Sequence, residues 1–137
     1  MIYALDSNVI SAILKKDTYV ITRYRQEIKQ GNEFIILPVV FYEIERGLLA
    51  KNLLVKRRAF IDFCKDIEVG EFNFDVWRKA AEIYAILSKQ GKLIGVNFDG
   101  DVFIAAYCII NDYILITNNK DHFGRIDDLK FENWSFI

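Results

Sequence analysis

The side chains able to do chemistry in this chain are oxygen donors more than sulfur or imidazole. There is a single histidine, His122, and there are two cysteines, Cys64 and Cys108. Any Ser–His or Cys–His nucleophilic pair would have to use His122, and no G-x-S-x-G turn accompanies it. A histidine next to a Phe in a loop is ordinarily structural or solvated. The chain carries no G-x-x-x-x-G-K-S/T phosphate loop, no G-x-G-x-x-G fingerprint and no Cys/His spacing of a zinc site. An aspartyl nucleophile of the D-x-D kind is excluded as well, because Asn8 stands at the second acidic position.

Four acidic positions sit where a core would not ordinarily want them. Asp6 closes the apolar run Ile2–Leu5. Glu43 has Val39, Val40 and Gly47 as its helical neighbours one turn away, and a carboxylate in apolar surroundings needs a partner or a metal. Asp101 heads the apolar segment Val102-Phe103-Ile104-Ala105-Ala106. Asp121, with Thr117 and Asn119 before it, follows the apolar run that ends at Ile116. Helix capping is the plain explanation of Asp6, with Ser7 and Asn8 completing an Asx-type turn, and equally of Asp101. All four together at one sheet edge call for more than capping. Crowded carboxylates raise one another's pKa, and a hard divalent cation, Mg²⁺ or Mn²⁺, relieves the conflict while keeping several waters. Ions held in this way bind phosphate oxygens and activate water for attack on a phosphodiester.

The elements that must position these residues can be read from periodicity. Ile2–Leu5 reads as a buried strand, Ser7–Lys16 and Tyr19–Gln30 as helices, and Phe34–Leu37 as a second strand. Pro38 suits the first turn of a helix over Val39–Ala50, and another helix covers Leu54–Asp66. Glu68–Phe72 suits a short strand. Phe74–Gln90 is amphipathic, with Trp77, Ala80, Ala81, Tyr84 and Leu87 expected inward. Asp101–Asn111 is apolar almost all round and is expected to be deeply buried. Tyr113–Thr117 and Asn133–Ile137 read as the last strands. Strands alternating with helices of ten or more residues predict an α/β fold: one domain over 1–137, with a mostly parallel central sheet and helices on both faces.

Composition agrees with that frame. In 137 residues, 53% are hydrophobic and the net charge is −1, which argues against intrinsic disorder and against nucleic-acid binding through overall basicity. It leaves room for a local basic patch. The two cysteines are expected to be buried, reduced thiols of a cytoplasmic protein. The apolar runs fall short of the roughly 18–20 residues of a membrane span, and the N-terminus lacks a basic leader.

With these residues assembled, the sequence resembles the PIN-domain ribonucleases, most closely the VapC-type toxins of toxin–antitoxin pairs, over essentially the whole chain. Leu5-Asp6-Ser7-Asn8 resembles the family's opening L-D-S/T-N, Glu43 to Gly47 its E-x-x-x-G element, and Asp101 to Ala106 its D-x-x-I-A-A. Thr117-Asn118-Asn119, with Phe123 after it, resembles the closing segment. Two departures stand out. The family often has a fourth acid directly before that Phe, where this chain has His122, and the stretch Gly95–Asp101 is slightly longer than usual.

The resemblance implies hydrolysis of RNA at a Mg²⁺ or Mn²⁺ site held by Asp6, Glu43 and Asp101, supported by Ser7, Asn8 and Thr117. Asp121 or Asn119 completes that site, and Asp99 competes with Asp101 for its place. A homodimer and a VapB-type antitoxin are the implied partners. For the RNA phosphates, Lys15, Lys16, Arg23, Arg25, Lys51, Lys56, Arg57 and Arg58 are the candidate contacts, although such charge runs are commonly just solvated helix faces. The altered closing motif keeps a second reading open, a non-catalytic PIN-like module that binds RNA or protein.

Overall fold

The computed structural model describes residues 1–93 and 98–135. Its sheet has five strands in the order β3-β2-β1-β4-β5, every neighbouring pair parallel. They are β1 (Ile2–Leu5), β2 (Glu33–Ile36), β3 (Glu68–Val69), β4 (Ile114–Ile116) and β5 (Phe131–Glu132). Between them run α1 (Ser7–Leu14), α2 (Thr18–Lys29), α3 (Pro38–Ala50), α4 (Leu54–Lys65), α5 (Phe74–Lys89), α6 (Phe98–Asn111) and α7 (Lys120–Phe123). The chain steps from β1 outward through β2 to β3, then returns to the other side of β1 for β4 and β5. Since parallel crossovers are right-handed, that reversal sends α1–α4 to one face and α5–α6 to the other.

The three central strands are short apolar runs because both faces are covered. Tyr3, Ala4, Leu5, Ile35, Ile36, Leu115 and Ile116 are all buried. Helix α6 meets the expectation of deep burial: Val102, Ile104, Ala105, Ala106, Tyr107 and Cys108 are each no more than 5% exposed. Asp17 and Asn73 cap α2 and α5 through the backbone N–H groups of Val20 and Val76, and Pro38 starts α3. Among the described residues, no helix is long and apolar enough to cross a membrane.

Several expectations are corrected. Helix α6 begins at Phe98, so Asp101 lies inside its first turn and is not the residue that caps it. The last strand is Phe131–Glu132, not Asn133–Ile137, because pairing with β4 ends at Ile116↔Glu132; Phe136 and Ile137 lie outside the described residues. Within Gly95–Asp101, residues 95–97 are likewise outside them. In α5, which packs chiefly against α6, the buried stripe is Val76, Ala80, Ile83 and Leu87, which leaves Ala81 exposed and Trp77 and Tyr84 about half exposed. That helix is apolar on more than one side, and the two stripes share the same helical spacing, so only the packing of α5 on α6 chooses between them. Cys108 is buried but Cys64 only partly so; both are free thiols, and burial raises the Cys64 pKa to about 11.

Candidate active site

The strand order reverses between β1 and β4, and in open parallel sheets the crevice beyond the C-terminal ends of two such strands is where ligands bind. The pairing Leu5↔Ile116 brings both strands to that edge in register. The next residues, Asp6 and Thr117, therefore stand side by side, and the Asp6 N–H donates to the Ile116 carbonyl at 2.9 Å. Both side chains are buried.

Asp6 does two things at once. It is the N-cap of α1, with Oδ1 accepting from the Ser7 N–H at 2.8 Å. Its Oδ2 accepts from Thr117 Oγ1 at 2.7 Å and from Asn8 Nδ2 at 3.3 Å. Asn8 Oδ1 in turn accepts from the Asn118 N–H at 3.2 Å, locking the two strand ends together. Ser7, Asn8 and Thr117 are thus the residues that hold the carboxylate in place. Burial raises the Asp6 pKa, the Thr117 and Ser7 hydrogen bonds oppose it, and the charge of Asp101 adds to the rise.

Glu43 reaches this edge from the second turn of α3. Burial raises its pKa first, then the negative charges of Asp6 and Asp101, while Arg46 works against them. Its carboxylate lies over the backbone of α6, where a Cβ on Gly100 would come within 2.7 Å of Glu43 Oε1. Gly100 is therefore what lets the first turn of α6 approach α3 and present its next residue, Asp101. Burial raises the Asp101 pKa too, opposed by His122, whose Nδ1 lies 2.7 Å from Asp101 Oδ2.

The fourth position resolves differently from the family pattern. Asp121 is exposed on α7, and its backbone carbonyl accepts from Arg125 Nε. The residues that turn toward the acids are Asn119, whose Nδ2 lies 2.8 Å from His122 Nδ1, and His122 itself. The side chain of Phe123 is fully buried and anchors this turn. His122, expected in a loop with an ordinary role, lies on α7, and the sequence signal for it is its place between a polar residue, Asp121, and the apolar Phe123. Asp99 is exposed and lines a cavity of about 250 Å³ together with Glu43, Arg46 and Gly100.

Asp6, Glu43 and Asp101 are thus electrostatically coupled carboxylates from three separate elements. Among the described residues, no three His, Cys, Asp or Glu side chains close into a compact ligand cage. All-oxygen donors with raised pKa values suit a hard divalent cation that keeps part of its water shell, so the donor set fits Mg²⁺ or Mn²⁺.

The basic candidates separate by their contacts. Lys15 and Lys56 line a largely apolar groove of about 280 Å³ between α1, α3 and α4, which also takes in Ser7 next to Asp6. Lys16, Arg25, Lys51 and Arg58 are exposed. Arg57 is ion-paired with Glu45, joining α4 to α3. Arg23 is paired with Glu27 and Glu132 and lies over the Trp134 ring, a structural role rather than a free phosphate contact.

The PIN-domain pattern matches residues 3–129 of the chain. The chain belongs to the PIN-domain family, among its VapC ribonucleases. Ribonuclease VapC2 of Haemophilus influenzae strain Rd is 30% identical over 135 residues, covering 96% of this chain and 97% of that protein. Ribonuclease VapC2 of Rickettsia felis is 27% identical over 135 residues, covering 98% of each. The crystal structure of VapBC2 from Rickettsia felis, bound to a DNA fragment from their promoter, contains a chain of the same fold. It superposes with a TM-score of 0.88 at 27% identity, covering 98% of this PIN domain and all of that chain.

Proposed function

We propose that this chain is an endoribonuclease toxin that hydrolyses RNA phosphodiester bonds at the acidic centre beyond β1 and β4. The observation that carries the reading is the convergence of Asp6, Glu43 and Asp101 at the topological switch point of a PIN-domain sheet. Asp6, Glu43 and Asp101 would hold Mg²⁺ or Mn²⁺, with Asn119 rather than Asp121 as the supporting residue on the fourth side. The bound cation supplies charge neutralisation at the phosphate and a more acidic water. Thr117, Ser7 and Asn8 fix the orientation of Asp6. Lys15 and Lys56 would guide the RNA backbone along their groove toward Ser7.

By likeness to the VapBC2 complex of Rickettsia felis, a VapB-type antitoxin is the proposed partner; a homodimer and a cytoplasmic location are proposed from the sequence reading alone. The test is RNA cleavage by purified protein with Mg²⁺ or Mn²⁺. Activity should disappear with EDTA, and in Asp6→Asn and Asp101→Asn proteins that remain folded. Cleavage that persists in EDTA or in both variants would overturn the reading, and a folded wild-type chain that binds RNA without cutting it would favour a non-catalytic module.

A further inference from the structure

The segment after β4 ties two of the three carboxylates to each other. Thr117 Oγ1 donates to Asp6 Oδ2 at 2.7 Å, and the Asn119 backbone N–H donates to Thr117 Oγ1 at 3.0 Å. The Asn119 side-chain amide lies 2.8 Å from His122 Nδ1, and that same nitrogen lies 2.7 Å from Asp101 Oδ2. The two stretches Asp6–Thr117–Asn119 and His122–Asp101 thus lie on one segment and meet where the Asn119 amide faces His122 Nδ1. That segment is made by six consecutive positions of chain, 117–122, that are held on both sides by buried anchors, Ile116 and Phe123.

We propose that His122 is a positioning residue of the acidic centre, orienting Asp101 through an Nδ1–H bond to Oδ2 and so setting Asp101 against Asp6. The proposal rests on the reading of that centre as a divalent-cation site. His122 Nδ1 can serve only one of these two neighbours at a time. Nδ1 carrying a hydrogen donates to the Asp101 carboxylate, whereas Nδ1 without one accepts from Asn119 Nδ2. A hydrogen bond to an ionised acceptor is roughly twice as strong as one between neutral groups, so of these two contacts the Asp101 bond is the stronger and favours the Nδ1–H form. An acid at position 122 could not make this bond when ionised and would add a negative charge. With histidine there, the centre has one carboxylate fewer, and Asp101 gains a donor. Groups of this kind, one shell out from a metal, commonly change metal affinity by about 10- to 100-fold.

The test measures Mn²⁺ binding to the metal-free protein by calorimetry. His122→Phe keeps the ring volume at a partly exposed position and removes the donor; it should weaken Mn²⁺ binding about tenfold or more, with thermal unfolding of the metal-free protein little changed. His122→Asn sets an amide donor near the place of Nδ1 and should restore most of the lost affinity. In RNA cleavage, His122→Phe should lower kcat and leave KM unchanged. Wild-type affinity in His122→Phe, or no recovery in His122→Asn, would overturn the positioning role. Asp101→Asn separates the two readings: saturable Mn²⁺ binding that survives this change sinks the acidic centre itself, independently of His122.

Discussion

Thr117 Oγ1 and Asp6 Oδ2 are 2.7 Å apart although 111 positions separate them in the chain, and both residues are buried. The bond is where the parallel β1–β4 pairing becomes a functional geometry. Asp6 leaves β1 just past Leu5, Thr117 leaves β4 just past Ile116, and the register of those two strands makes them neighbours.

Replacing Thr117 by Val keeps the shape and removes the hydroxyl. A buried carboxylate oxygen then loses a donor, which typically costs about 1.5–3 kcal/mol for a bond to a charged group. Urea unfolding at pH 7 should show a loss of that size. Because the Thr117 bond lowers the Asp6 pKa, its removal should raise that pKa further, and NMR titration of the carboxyl carbon checks the direction.

The metal-free protein should carry a pH signature of its acidic centre. The folded-state pKa values of Asp6, Glu43 and Asp101 are all raised, so the folded chain binds protons at pH values where the unfolded chain has released them. The contribution to stability is therefore full below the ordinary carboxylate range and is lost as pH rises through the raised values. Glu43→Gln removes one of the repelling charges, so its metal-free form should melt higher than wild type at pH 7 and lose that advantage near pH 4. Saturating Mn²⁺ should reverse the order at pH 7, because it stabilises only a chain that binds it. Thermal scans over pH, with and without Mn²⁺, provide the check.

Gly100→Ala should separate folding from activity. Among the described residues the added Cβ meets only Glu43, chiefly its Oε1, the flexible end of a side chain, which can move aside. In a helix, Ala is favoured over Gly by roughly 0.5–1 kcal/mol, so stability should hold or rise. Glu43 would nonetheless be pushed from its place among the acids, and RNA cleavage should fall by about tenfold or more, a misplacement effect. A variant as active as wild type would show that the position of Glu43 does not matter.

Charge reversal at Lys15 and Lys56 tests the groove. Each lost phosphate contact should reduce the salt dependence of RNA binding, by a log–log slope of about 0.7 for a single strand. The double variant should raise KM with little change in kcat. Arg23→Ala, in contrast, should leave KM alone and lower stability, because Arg23 is paired with Glu27 and Glu132.

Much of this was legible in the chain itself. Short apolar runs ending in Asp6 and Thr117 follow from strands covered on both faces, and Glu43 among Val39, Val40 and Gly47 marks a carboxylate out of place on its helix face. These are local signals of period and composition; they suffice for the α/β class and single out the three acids as candidates. Tertiary structure decided what local pattern could not: which of Asp121, His122, Asn119 and Asp99 faces the centre. Side-chain direction on a four-residue helix depends on where Phe123 anchors it and on how closely Gly100 lets α6 approach Glu43. The same holds for the basic residues. Lys56 and Arg57 are adjacent in sequence, yet one lines an open groove and the other is held by Glu45, because a single residue turns a helix by about 100° and so chooses the neighbour.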